Sequence, residues 1–203
     1  MNPSLSAGGE GADTTHYSIV DEEGNAVAVT YTLNGAYGSG ASVPGAGFLL
    51  NDEMDDFAAK PGSPNKFGLV QGEKNAIAAG KRPLSSMVPT IILKDGKLFL
   101  VVGAPGGSTI ITAVLQVIVN VVDFGMNVQD AVDFPRIHHQ WKPDRLDVDA
   151  GVLPDTITLL KRMGYQVEDA HPRVYARVEA ILISNGSLQG GHDDRGNGKA
   201  AGY

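Results

Sequence analysis

The sequence predicts an α+β domain. Three observations carry that expectation: several antiparallel hairpin signals, a long apolar run of helical character, and two shorter segments with helix capping and stop residues. The first hairpin joins residues 16–21 to 26–33, two runs of alternating and β-branched residues, through a turn at 22–25 that contains Gly24-Asn25. Residues 34–47 (NGAYGSGASVPGAG) form a Gly- and Ser-rich loop, followed by an acidic segment at 51–57 and a second surface loop over 60–81. Residues 90–94 and 97–103 alternate around Asp95-Gly96, a strong two-residue turn signal. That hairpin ends in GAPGGS at 103–108, which leads into an apolar run over 109–122 suited to a buried helix. Backbone N–H groups at such a helix start have no partner within the helix. Residues 127–134 read as a short helix capped by Asn127 and stopped by Pro135, and 154–163 as a helix ended by Gly164. A third hairpin pairs 178–184 with 187–190 around Asn185-Gly186.

Composition narrows the function classes. The 203 residues are 42% hydrophobic and 19% charged, a globular balance. With 23 acidic and 16 basic residues the formal charge is −7, which disfavours nucleic acid or an anionic membrane as the main partner. Cysteine is absent, so disulfides and thiolate chemistry are excluded. The apolar stretch at 110–122 is interrupted by Thr112, Gln116 and Asn120 and is too short to span a bilayer. Residues 1–13 (MNPSLSAGGEGAD) lack the basic start and apolar core of a signal peptide and read as a flexible polar lead-in to a domain over 14–203. None of the histidines at 16, 138, 139, 171 and 192 falls into a metal-ligand spacing, so neither a metal nor another cofactor is expected.

The chemistry centres on Asp13-Thr14-Thr15-His16, where the lead-in meets the first strand. A threonine hydroxyl is a weak nucleophile, but an α-amino group freed at the same residue titrates near neutral pH and can act as its base. A cut before Thr14 would give one residue both roles. From these residues alone the stronger reading is plain β-propensity, the usual reason for Thr-Thr at a strand start. Gly106 and Gly107 before an apolar helix allow backbone N–H groups to converge on a developing negative charge, or simply make a tight strand-to-helix turn.

The motifs TTHYSIVD at 14–21, NAVAVTYTLN at 25–34, GFLLNDEMDDF at 47–57, KRPLSSMVPTI at 81–91, GAPGGSTIIT at 103–112, PRIHHQW at 135–141 and the terminal Gly202-Tyr203 occur in this order. Jointly they resemble the small, catalytic subunit of the γ-glutamyltranspeptidases (glutathione hydrolases), members of the N-terminal-nucleophile hydrolase superfamily. The resemblance implies an αββα sandwich, of which this chain supplies the catalytic half. It implies autoproteolysis before Thr14, a γ-glutamyl-Thr14 ester, and transfer of the γ-glutamyl group of glutathione or related amides to water, amino acids or peptides. It carries the nucleophile onto Thr14 and the residue that orients the new amine onto Thr32. Asn34, Glu53 and Asp56 match the residues that hold the α-amino group of the γ-glutamyl moiety, a role that suits charge-assisted hydrogen bonds. Ser85 and Ser86 match the pair that binds the α-carboxylate, and Gly106 and Gly107 match the oxyanion pair. Without the resemblance, Asp52 to Asp56 reads as a solvated acidic turn, Ser85-Ser86 as a turn after Pro83-Leu84, and Thr32 as a strand threonine.

Residues 61–72 match a lid, with Phe67 where a tyrosine is common; phenylalanine keeps the apolar cover and lacks the hydroxyl. His138-His139 and Asp193-Asp194-Arg195 read as structural, since neighbours on a strand face opposite ways and Asp194 stands where the family usually has proline. The family's longer upstream half, the large subunit, supplies an arginine and one wall of the pocket, so the resemblance implies a heterodimer and a periplasmic or secreted location. Two other readings remain: an acylase for glutaryl-type cephalosporin side chains, built on the same machinery, and an inactive fragment lacking its large subunit.

Overall fold

A computed structural model describes residues 14–168 and 176–202. The lead-in at 1–13, His171 and Tyr203 lie outside the described residues. Strands β1 (Thr14–Val20) and β2 (Ala26–Thr32) form the first hairpin, in a register that sets Thr14 opposite Thr32. The strand begins at Thr14 rather than at 16, and its turn is held by Asp21, whose carboxylate accepts from the Glu23 and Asn25 amides.

Strands β3 (Thr90–Lys94), β4 (Lys97–Gly103), β8 (Glu179–Ser184) and β9 (Ser187–His192) form an antiparallel sheet in the order β3-β4-β8-β9. Its two faces are used differently, as the two-residue period of a strand requires. Leu100 and Val102 of β4 and Ala180 and Leu182 of β8 point to a core shared with α1 (Thr109–Val122) and α2 (Val128–Asp133). On the other face Gly103 meets the hairpin β1–β2, and a Cβ there would overlap the imidazole of His16. Gly191 of β9 is backed by Val128 of α2, which explains why this strand runs two residues past the expected 190. Among the described residues the layers therefore run helices, sheet, sheet.

Helix α1 buries Ile110, Ala113, Val114, Val117 and Val121, an i, i+3, i+4, i+7 stripe. The expectation of a helix buried all round is corrected: Ile111, Leu115 and Val122 are 48%, 56% and 53% exposed and form a second apolar stripe. Helix α2 starts as expected, with the Asn127 side chain accepting from the Asp130 amide. A small sheet, not foreseen in full, joins β5 (Ile137–His139), β6 (Leu146–Val148) and β7 (Val167–Glu168). Helix α3 (Pro154–Arg162) forms as expected over most of 154–163, contacts β7 and buries no residue.

One buried charge network closes the fold. The Arg136 guanidinium is paired with the Asp193 carboxylate and donates to the carbonyls of Val132 and Ala176 (2.6 and 2.7 Å). Asp193 also accepts from the Val178 and Arg195 amides, and Arg195 bridges Asp193 and Asp149, both at 2.9 Å. Burial alone would push Asp193 up, but the charge and hydrogen bonds of Arg136 hold its carboxyl below the usual range. A carboxylate lowered on folding stabilises the fold above its unfolded pKa, and that stabilisation is lost as the pH falls through the folded value. Asp193→Asn leaves Arg136 buried without its counter-charge and is expected to cost about 3–5 kcal/mol in urea unfolding at pH 7, with a weaker dependence on pH below about 4 than the parent chain.

Candidate active site

The end of β2, the acidic turn, the loop over it and the entry to α1 converge on one pocket. Its lining includes Thr14, Thr32, Asn34, Glu53, Asp56, Phe67, Ser85, Ser86 and Gly107. Of the site residues expected from the sequence, Gly106 alone does not line it; it is buried directly behind Gly107. Leu69, Met87, Ser108 and Ile110 complete the wall. Each of the four is one to three residues from an expected site residue, so proximity in the chain was the available signal.

Cross-strand pairing places the two threonines. Because Thr14 and Thr32 face each other across β1 and β2, the Thr14 hydroxyl donates to Thr32 Oγ1 at 3.0 Å. Thr32 Oγ1 also accepts from the Asn34 amide at 2.9 Å, which fixes the chain as it leaves the strand. Asn34 adopts a φ of 69°, a conformation asparagine tolerates better than most residues, and its side chain donates to the Asp52 carbonyl at 3.2 Å. The strand end and the acidic turn are thereby tied together. Two residues from Thr14, His16 is buried between the sheets, with Nδ1 2.7 Å from Thr30 Oγ1 and Nε2 3.1 Å from Ser18 Oγ. Desolvation lowers its pKa to about 4, so it is neutral at pH 7 and acts as a spacer between β1 and β4.

Residues Glu53–Asp56 form a single 3-10 turn, and this curls the Glu53 and Asp56 carboxyls together. Burial, a hydrogen bond with Asp56 and the nearby charges of Asp56 and Asp52 push Glu53 up to about 7. Burial likewise raises Asp56. Two carboxyl groups in contact share a proton when no cation is between them. The loop above is built on the same turn. Asn65 donates to the Asp55 carbonyl and accepts from the Phe67 and Leu69 amides, while Lys66 pairs with Asp52 at 3.1 Å. Gln71 and Asn75 both donate to the Asp56 carbonyl. Phe67 is thus held over Gly107: a Cβ on that glycine would lie 3.8 Å from the ring. Ser85 accepts from the Met87 amide at 3.2 Å, the turn its sequence implied, and Ser86 is half-buried beside it.

On the far wall, Ser108 donates to Gln140 Oε1 at 2.8 Å. His138 Nε2 donates to the same oxygen at 3.0 Å, leaving Nδ1 to accept from Thr112 at 2.8 Å. His139 lies on the opposite side of the strand and meets Asp144. The two histidines face opposite ways, as expected from strand geometry. Among the described residues no group of three or more His, Cys, Asp or Glu is arranged to hold a metal.

The antiparallel sheets flanked by helices are those of an N-terminal-nucleophile hydrolase. The family model for gamma-glutamyltranspeptidase matches residues 2–203. The chain is 52% identical to the glutathione hydrolase proenzyme of Escherichia coli (strain K12), over 96% of this chain and 33% of that protein. It is 55% identical to that of Pseudomonas sp. (strain A14), over 89% of this chain and 31% of that protein. It therefore spans about a third of the length of these relatives. Among solved structures it is similar to a threonine-to-alanine mutant of the Helicobacter pylori gamma-glutamyltranspeptidase, with a TM-score of 0.84 and 55% identity over 90% of this chain and 100% of that one. A cephalosporin acylase from Bacillus halodurans superposes with a TM-score of 0.80 at 25% identity, over 93% of this chain and 34% of that one. The chain belongs to the γ-glutamyltranspeptidase family.

The carboxyl pair gives a direct test of the pocket's electrostatics. Carboxyl NMR of the substrate-free protein is expected to show one titration step near pH 7, and Glu53→Gln should remove it while leaving Asp56 above the ordinary carboxylate range, since burial and the charges of Asp55 and Asp52 raise it.

Proposed function

We propose that this chain is the catalytic part of an enzyme that transfers the γ-glutamyl group of glutathione and related amides to water or to an amine, through an ester on Thr14. The observation that supports this most strongly is the convergence, in one pocket, of a hydroxyl nucleophile, a carboxyl pair, a serine pair and a glycine at the start of a helix. The first step is the cut between Asp13 and Thr14, which frees the Thr14 amine. That the relatives are glutathione hydrolase proenzymes, and that the Helicobacter pylori chain is matched end to end, support such a separation.

The Thr14 Oγ–H then attacks the γ-carbonyl carbon of the substrate, and the freed amine takes the hydroxyl proton. The carbonyl oxygen becomes an oxyanion, stabilised by the N–H groups of Gly106 and Gly107; a donor of this kind contributes about 10²–10³-fold in kcat. The C–N bond breaks, the leaving amine takes the proton from the Thr14 ammonium, and the γ-glutamyl group remains as an ester. Water or an acceptor amine attacks that ester by the reverse sequence. Thr32, whose hydroxyl already meets that of Thr14, orients the amine and hydroxyl.

Asn34, Glu53 and Asp56 bind the substrate α-ammonium. That ion supplies the missing cation between two carboxyls, so binding displaces their shared proton. Ser85 and Ser86 donate to the α-carboxylate. The carboxyl pair favours a γ-glutamyl over a glutaryl substrate, since glutaryl has no ammonium to neutralise it, and this separates the reading from an acylase. A large subunit is the proposed partner: the chain spans a third of its relatives, and the α1 stripe and the outer face of β1–β2 (Tyr17, Ile19, Val27 and Tyr31) are apolar and exposed. A periplasmic or secreted location follows by analogy with the family; no helix of the described residues is long and apolar enough to cross a membrane.

Two measurements test the reading, made with the upstream segment present. Thr14→Ala is expected to abolish the cut, read by intact mass, and release of a γ-glutamyl chromophore together; surviving turnover would exclude Thr14 as nucleophile, and an uncut, inactive parent chain would favour the inactive-fragment reading. KM for the γ-glutamyl substrate should rise as the pH falls below about 7, where Glu53 holds its proton. Asp56→Asn should raise KM by about tenfold or more through loss of a charge-assisted hydrogen bond, without a comparable effect on a glutaryl amide.

A further inference from the structure

We propose that Thr109 is a positioning residue that locks the orientation of the Gly106–Gly107 peptide, so that its N–H faces the pocket and its carbonyl faces the core. The proposal rests on the reading of these glycines as the oxyanion site.

The Thr109 hydroxyl is buried and fully used: it donates to the Gly106 carbonyl at 2.7 Å and accepts from the Ala176 amide at 3.1 Å. A trans peptide points its C=O and the following N–H in opposite directions. Holding the Gly106 carbonyl against Thr109 therefore turns the Gly107 N–H the other way, toward the side of Gly107 that lines the pocket with Thr14. The preceding peptide is fixed in the same sense. Its Pro105 carbonyl accepts from the Arg177 amide at 3.0 Å, which turns the Gly106 N–H away from residue 177.

Such a lock is needed because two successive glycines cost little to flip. Gly106 has a φ of 144° and Gly107 of 56°, and a Cβ at Gly106 would overlap Ala176, so neither position accepts a stiffer residue. Rigidity has to come from outside the pair. Ala176 supplies it because its own position is overdetermined: its N–H goes to Thr109 and its carbonyl accepts from the buried Arg136 that pairs with Asp193. Thr109 joins this anchored backbone to the loop through its hydroxyl, which adds a second, shorter bond to the one its own N–H donates to the Gly106 carbonyl at 3.2 Å.

The test compares Thr109→Val, which keeps the shape and removes the hydroxyl, with Thr109→Ser, which keeps the hydroxyl, both in the enzyme with its upstream segment. Misplacing a catalytic donor costs up to about 100-fold in rate. Thr109→Val is expected to lower kcat per cleaved chain by about 10- to 100-fold with KM within about twofold, while Thr109→Ser restores kcat to within about threefold of the parent. Parent kcat in Thr109→Val, or equal losses in both variants accompanied by a fall in Tm, would overturn the lock. If Thr109→Val is not cut, amide hydrogen exchange replaces turnover: faster exchange confined to residues 104–109 and 176 supports the lock, and unchanged or uniformly faster exchange overturns it. Thr14→Ala run alongside separates the two ideas: turnover surviving that change removes the catalytic reading, whereas the exchange measurement still decides whether Thr109 fixes the loop.

Discussion

The buried pairing of Arg136 with Asp193 is the constraint from which the rest of the architecture hangs. A guanidinium and a carboxylate removed from water are unfavourable unless every charge-bearing oxygen and most donors find partners. Meeting that demand brings four separated pieces of chain to one point: the end of α2 through the Val132 carbonyl, the start of β5 through Arg136 itself, the segment entering β8 through Ala176 and Val178, and the C-terminal turn through Asp193 and Arg195. Its effect reaches the chemistry because Ala176 abuts Gly106. The position of the proposed oxyanion donors is thus inherited from an ion pair that never touches substrate.

The other half of the site is set by sheet packing. Register fixes Thr14 against Thr32, and the contact of His16 with Gly103 fixes how closely the hairpin lies on the larger sheet. A side chain at 103 would separate β1 from β4 and with it Thr14 from the glycine loop. Burial keeps His16 neutral, so it fills this space without adding a charge near Thr14. The proposed separation between attacking oxygen and oxyanion donors is a packing distance between two layers.

Charge enters the pocket from one side only. Asp52, Glu53, Asp55 and Asp56 crowd a single turn, and Lys66 answers just one of them directly. The unbalanced pair is held ready for a cation, and the loop carrying Phe67 is hydrogen-bonded to the same turn. The cover and the acidic turn are one hydrogen-bonded unit.

The sequence by itself determined the hairpins and the cap of α2, because these depend on interactions among near neighbours: turn dipeptides, two-residue and helical periodicity, and Asn127 at a cap. The pocket-lining residues were legible only through the ordered motifs of the family resemblance, since Thr32, Asp52 to Asp56 and Ser85-Ser86 read alone as a strand threonine, a solvated acidic turn and a turn. Only the tertiary structure decided that burial raises the Glu53 and Asp56 carboxyls, that His16 is a spacer, that α1 leaves a second apolar face open, and that Thr109 holds a carbonyl rather than merely starting a helix. Each of these depends on groups brought together from distant parts of the chain or on how much water is excluded between them. Thr109 shows the difference most plainly: in sequence it is one β-branched residue at a helix start, and its two hydrogen-bond partners lie 3 and 67 positions away.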